Sequence, residues 1–269
     1  MGIHPTAIIG QSVTLGSNVS VGPYTVIEGE VSIGDNTVIM AHANIMGYTV
    51  IGKNCTVHMG VVLGNDPQDV AFTGERSYLH IGDNNTFREY CWIHRGTKPE
   101  SATVIGNGNY FMGFSHAAHN CRIGNNAVIA SNTLLAGYVE VGDNAFVSGN
   151  IVVHQFTRIG AYAMVSGLSA VNKDIPPYML AGGRPAVVSG LNVVGLRRNG
   201  FSAEQRRSIK KAHDILFRSD RVTSGAIDAL SELEQTPEIK AVTAFARSSQ
   251  RGLCGSAGLQ HNQPITSMD

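Results

Sequence analysis

Residues 105–171 read IGNGNYFMGFSHAAHNCRIGNNAVIASNTLLAGYVEVGDNAFVSGNIVVHQFTRIGAYAMVSGLSAV, and every sixth residue of this stretch is apolar. The positions are Ile105, Phe111, Ala117, Ile123, Ile129, Leu135, Val141, Val147, Val153, Ile159, Val165 and Val171. The same register starts at Ile3, runs through Ile9, Leu15, Val21, Ile27, Ile33, Ile39, Ile45, Ile51, Val57 and Leu63, and returns at Ile81, Phe87 and Ile93. Glycine often follows, as at Gly34, Gly52, Gly82, Gly106, Gly124, Gly142 and Gly160. A period of six matches neither a helical face nor simple strand alternation. It fits a short strand plus a turn, and Gly-Asp-Asn at 34–36, 82–84 and 142–144 supplies residues that accept left-handed backbone angles. Three units make a triangular coil, and residues 3–175 accommodate about nine or ten coils. One coil cannot bury its own inner face, so the stack must be long.

The register fails at Asp69, Glu75 and Pro99, which predicts that 65–78 and 96–103 leave the prism as loops, a usual place for binding groups. Ile175-Pro176-Pro177 removes backbone donors and predicts the end of a β-helix domain spanning 1–178. AGGRPAVVSG (181–190) reads as a connection to an α-helical domain over 190–252. There, Ser202 and Gln205 form a capping-box pattern for a helix to about Arg218. Further helices are expected near 223–234 and 236–249, the second with Pro237 at its first position. Residues 253–269 read as a disordered tail.

Twenty basic and twenty acidic residues cancel, so nothing draws the chain to nucleic acid or an anionic membrane. No run of about 18 apolar residues occurs, which excludes stable membrane insertion by a helix. Four cysteines without a CxxC pair, and an N-terminus lacking a signal-peptide pattern, predict a cytoplasmic protein.

Histidines are the candidate chemical groups. His58, His94 and His154 each follow an inward aliphatic, so alternation points them outward. His116 and His119 flank the inward Ala117 and are expected to face solvent or a partner chain. Coils stack at about 4.8 Å, which sets Gly137 above His119 and Gln155 above Gly137. A general base beside a glycine N–H and an amide suits acyl transfer. A basic cluster (Arg197, Arg198, Arg206, Arg207, Lys210, Lys211, Arg218, Arg221) could dock an acidic partner or phosphates.

IHRGT (93–97), HAAHNC (116–121), LAGYV (135–139), VHQF (153–156) and GLNVVGLRRNGF (190–201) closely resemble the UDP-N-acetylglucosamine O-acyltransferases, the LpxA family, which carry out the first step of lipid A synthesis. The resemblance implies a left-handed parallel β-helix with an α-helical C-terminal part, assembled as a homotrimer with sites between prisms. It implies transfer of a (3R)-hydroxyacyl chain from acyl carrier protein to the 3-position of a UDP-amino-sugar. Neither a cofactor nor a metal is implied, because the donor arrives on the carrier's phosphopantetheine. His119 matches the base and Gly137 the oxyanion donor. Gln68, Asp69, His116, His154, Gln155, Asn192 and Arg198 match substrate contacts. Gly167 matches the acyl-length ruler, and Arg197, Arg206, Arg207, Lys210 and Lys211 fit carrier docking.

The chain departs from the family at Asn120 (often Asp), Tyr138 (His), Ala71 (Lys), Val194 (Glu) and Asn199 (Arg), leaving both a 3-hydroxyl and a 3-amino acceptor open. The related N-acyltransferases carry an added uridine-binding domain, whereas here the repeat begins at Ile3. VHQF and GLNVVGLRRNGF disfavour an acetyl-CoA enzyme. A carbonic anhydrase on this prism needs three histidines converging on zinc, and a non-catalytic β-helix would be indifferent to the loss of His119.

Overall fold

Two residues of each hexapeptide form a strand and the others turn a corner, so successive strands fall on three different sheets in rotation. Ile8–Ile9 begins the first sheet, Thr14–Leu15 the second and Ser20–Val21 the third. In this computed structural model, which describes residues 2–219 and 223–256, the sheets hold nine, eight and ten strands. Pairing within the coils is parallel and in register: His116 lies beside Leu134, and Leu134 beside Val152. The architecture is a left-handed parallel β-helix followed by helices.

The second residue of each strand points inward. Ile27, Ile45, Leu63, Ile93 and Leu135 form such a column on the first sheet and are fully buried; the phenyl rings of Phe87 and Phe111 stack at 5.1 Å within the third. At one corner, backbone N–H groups of Ser17, Lys53, Asp83, Asn107 and Asn125 donate to side-chain oxygens of Asp35, Asp83, Asn107, Asn125 and Asp143 on the following coil, at 2.7–2.9 Å. This ladder satisfies turn donors that a triangular coil would otherwise leave unpaired. The outward residues differ by face. Ile8, Leu134 and Val152 on the first sheet are exposed, as are Tyr24, Tyr90, Phe114 and Leu168 along the corner between the third and first sheets.

Leu63 pairs with Ile93 and Tyr78 with Ala102, so both expected excursions occur. They are shorter than 65–78 and 96–103, because Asn65, Tyr78, Ala102 and Thr103 already pair in the sheets. The prism also continues past Pro177. Met179–Gly183 extends the third sheet and Ala186–Leu191 folds back antiparallel on it. The segment read as a connection is therefore a hairpin, turned at Gly183 (φ +104°) and anchored by buried Ala181, Ala186 and Val188. A six-residue register describes parallel coils only and carries no mark of an antiparallel return.

Among the described residues four helices follow: α1 (Val193–Arg198), α2 (Ala203–Phe217), α3 (Thr223–Glu232) and α4 (Pro237–Arg247). Ser202 and Gln205 close the capping box on α2, and Thr236 caps α4 ahead of Pro237. The short α1 has no counterpart in the expectations from sequence. Among the described residues, no helix is long and apolar enough to cross a membrane.

The expected disordered tail needs a correction over its first residues. Cys254 N–H donates to the Asp174 carbonyl at 2.8 Å and Val188 N–H to the Gly255 carbonyl at 2.8 Å, so the strap through Ser256 is paired onto the prism end. Buried Asp174 anchors this closure by accepting from Arg158 N–H, Arg158 Nε and Ser249 Oγ. The rest of that tail and Arg221 lie outside the described residues.

Candidate active site

The strand His116–Ala117 leaves the first sheet at the corner facing the second sheet, and the turn that follows carries His119 and Asn120. Successive coils place Asn120, Tyr138 and Phe156 at this corner, all left-handed with φ of 59°, 60° and 64°. Asparagine tolerates that conformation, and Tyr138 and Phe156 offset its cost by stacking at 4.9 Å. His119 sits one residue earlier on the turn, half-buried, with its ring edge-on to Tyr138 at 5.4 Å.

The expected column is present. Tyr138 N–H donates to the His119 carbonyl at 3.0 Å and Phe156 N–H to the Gly137 carbonyl at 3.1 Å, which stacks 119, 137 and 155. Gly137 is a spatial requirement: a Cβ there would lie 2.4 Å from Cε1 and 2.6 Å from Nε2 of His119. Among the described residues the Gly137 N–H has no acceptor, so it is free to serve a ligand. Gln155 and His154 are exposed at the next level.

The tautomer of the neutral His119 ring follows from its neighbours. Thr97 donates both its N–H (3.1 Å) and its hydroxyl (3.0 Å) to one side-chain atom of Asn120. A backbone N–H can only donate, so that atom is the oxygen. The same oxygen lies 3.1 Å from His119 Nδ1, which must therefore carry the proton. The lone pair is left on Nε2, the nitrogen against Gly137. Asn120 thus fixes the tautomer, while contributing less than a carboxylate would to a developing imidazolium. Thr97, within the quoted IHRGT motif, was not singled out from the sequence. The eighteen-residue spacing of Tyr138 and Phe156 was the available signal for the aromatic corner.

Two histidines depart from expectation. Alternation directs His94 and His116 out of the prism, yet they are only 5% and 7% exposed. His116 is stacked on His94 at 5.2 Å and edge-on to Trp92 at 4.9 Å, and His94 Nδ1 donates to the Asp66 carbonyl at the start of the first excursion. Outward from a prism is not outward to water when aromatic neighbours and a loop end pack over the ring. Burial, reinforced by His94 and His119, pushes His116 down to about 3, and burial also lowers His94. Both are neutral near pH 7.

The remaining candidates are spread out. Gln68 is exposed and Asp69 half-buried on the first excursion, where Asp69 accepts from the Ala71 N–H at 3.0 Å. Asn192 is buried; its oxygen caps α1 through the Gly195 N–H and its amide donates to the Tyr162 carbonyl. Its side chain is thus committed to placing α1, whose last turn presents Arg197 and Arg198 to solvent. Arg206, Arg207 and Lys210 line a shallow groove with Leu191 and Val193, and Lys211 lies exposed beside it. Gly167 is exposed at the corner between the third and first sheets, where a Cβ would meet only the Gly149 carbonyl at 3.3 Å and Ser148 at 4.0 Å. Among the described residues no three His, Cys, Asp or Glu converge in a metal-holding geometry, and all four cysteines are buried and free.

Comparison with known proteins adds a family to this geometry. The model for bacterial transferase hexapeptides (six repeats) matches residues 30–65 and 102–137, and that for the UDP-N-acetylglucosamine O-acyltransferase second domain matches 174–254. An acyl-[acyl-carrier-protein]--UDP-N-acetylglucosamine O-acyltransferase of Sulfurihydrogenibium sp. is 52% identical, covering 95% of each chain. The same-named protein of Thermodesulfovibrio yellowstonii is 45% identical over 94% of this chain and 98% of its own. Among solved structures, the UDP-N-acetylglucosamine O-acyltransferase of Moraxella catarrhalis superposes with a TM-score of 0.92 at 39% identity, covering 94% of this chain and 100% of its own. The UDP-N-acetylglucosamine acyltransferase of Bacteroides fragilis gives 0.90 at 42%, covering 93% and 98%.

Proposed function

The chain belongs to the UDP-N-acetylglucosamine O-acyltransferase family, and from that premise we propose that it transfers a (3R)-hydroxyacyl chain from acyl carrier protein to the 3-hydroxyl of UDP-N-acetylglucosamine, in the cytoplasm, as the first step of lipid A biosynthesis. The observation that carries the mechanism is the column in which His119 Nε2, with its tautomer set by Asn120, stands against Gly137, whose N–H has no acceptor among the described residues.

In this reading His119 Nε2 takes the 3-hydroxyl proton as the oxygen attacks the thioester carbon. The new C–O bond makes a tetrahedral oxyanion, which accepts a hydrogen bond from the Gly137 N–H. Collapse breaks the C–S bond, and the proton passes from His119 to the departing phosphopantetheine sulfur. No cofactor or metal enters the step. His116, neutral and buried, backs the base without titrating against it. Gln68, Asp69, His154, Gln155 and Arg198 contact the sugar nucleotide, with Asn192 acting through its cap on α1. Arg197, Arg206, Arg207, Lys210 and Lys211 attract the acidic carrier.

Three prisms assemble by burying exposed Leu134 and Val152 on the first sheet and the exposed Tyr90, Phe114 and Leu168 along its corner with the third. Gly167, lacking a side chain, leaves room at this interface for the acyl end.

The test is acyl transfer from hydroxyacyl carriers of graded length to UDP-N-acetylglucosamine, comparing wild type with His119→Ala. A general base contributes about 10²–10⁴ in rate, so His119→Ala is expected to lose at least two orders of magnitude in kcat. Full activity in that variant refutes the mechanism, and transfer only to a 3-amino sugar nucleotide refutes the acceptor.

A further inference from the structure

Arg95 is a cation with its charge out of water: the residue is 8% exposed, and a guanidinium cannot shed its proton. Such a group must be paired where it lies. Among the described residues its side-chain partners all belong to the first excursion, residues 66–77. Nη1 donates to Asp66 Oδ1 at 2.5 Å where the loop leaves the prism. The guanidinium lies 5.2 Å from the ring centre of Phe72 at mid-loop. Nε donates to Ser77 Oγ at 3.1 Å where the loop returns, and Ser77 in turn donates to the Gly96 carbonyl. Beginning, middle and end of the loop thus converge on one side chain. His94 adds its bond to the Asp66 carbonyl, and Thr97 holds Asn120 and through it His119. One four-residue strip, 94–97, supports both the base and the loop.

We propose that Arg95 is a positioning residue for sugar-nucleotide recognition: it organises residues 66–77 so that Gln68 and Asp69 are held at a fixed place relative to His119. The proposal rests on the reading that those two residues contact the sugar nucleotide. Asp66 keeps its carboxylate 67% exposed while pinning the buried cation, so the pair fastens a solvent-side loop to the prism rather than filling the core.

The experiment compares full-length Arg95→Lys, Asp69→Ala and the double variant in steady-state transfer, with tryptic cleavage after exposed Arg76 as a report on the loop. Lysine keeps the charge but cannot span the three partners. Arg95→Lys is expected to raise the KM for UDP-N-acetylglucosamine about tenfold with kcat within about threefold, and to speed cleavage with Tm retained. The double variant should lose no more than the worse single one. A wild-type KM in Arg95→Lys, or losses that multiply, overturns the proposal. An inert Asp69→Ala instead overturns the substrate-binding reading of the loop and the proposal with it, while faster cleavage of Arg95→Lys would persist. Should Arg95→Lys fail to fold, Asp66→Asn carries the same test, because its side chain is largely in water.

Discussion

Replacing Gly137 by alanine separates the two parts assigned to that residue. The backbone N–H remains, but the new Cβ would stand 2.4 Å from His119 Cε1, 2.6 Å from Nε2 and 3.1 Å from Nδ1. Ordinary contact begins near 3.4 Å, so the imidazole must retreat by about 1 Å. A displacement of that size at a reacting group costs about a hundredfold, or about 2.7 kcal/mol of barrier. Stability should barely move. The obstruction is the end of a half-buried side chain, Gly137 does not have a positive φ, and alanine narrows the unfolded ensemble by about 0.4–1 kcal/mol. The expected result is kcat reduced about a hundredfold with Tm within a few degrees of wild type. Adding His119→Ala to Gly137→Ala should cost nothing beyond His119→Ala alone. A kcat within threefold of wild type would refute the reasoning, as would a loss that tracks unfolding or a further drop in the double variant.

Asn120→Asp should raise kcat about tenfold, equivalent to about 1.4 kcal/mol, because a carboxylate accepts the same Thr97 bonds and stabilises the imidazolium better; pre-steady-state rates no higher than wild type would count against it. His116 titrates near 3 when folded and near 6.5 otherwise. The unfolded chain therefore takes up the proton first, and the stability held above pH 6.5 drains away as pH falls toward 3. Denaturant titrations at pH 6.5 and 5 should show wild type losing roughly 2 kcal/mol more than His116→Gln; parallel losses would mean the ring is hydrated. Gly167→Met should shift donor preference to shorter acyl chains without changing Tm, measured by competition among carriers of graded length, and an unchanged preference would remove Gly167 from the acyl site.

The coil, its three-fold rotation and the column His119–Gly137–Gln155 were legible in the sequence, because a parallel β-helix is nearly one-dimensional. Position along the chain, counted modulo eighteen, gives position in space, and the inward column of Ile, Leu and Val enforces that count wherever the register is unbroken. The capping box at Ser202 was legible for a similar reason, since both partners lie within one turn. What tertiary structure alone decided lies where the chain leaves the repeat. Whether His94 meets water depends on Asp66 of the first excursion, and whether His116 does depends on the His94 and Trp92 rings packed on it. The hydrogen on His119 depends on Thr97 reaching Asn120 from another coil, and the hairpin at 179–191 depends on an antiparallel return. The strap from Gly252 to Ser256 depends on Asp174 offering its backbone at the prism end. Each is a contact between segments with no fixed separation in the sequence, so its energy comes from packing and hydrogen bonding that no local period encodes.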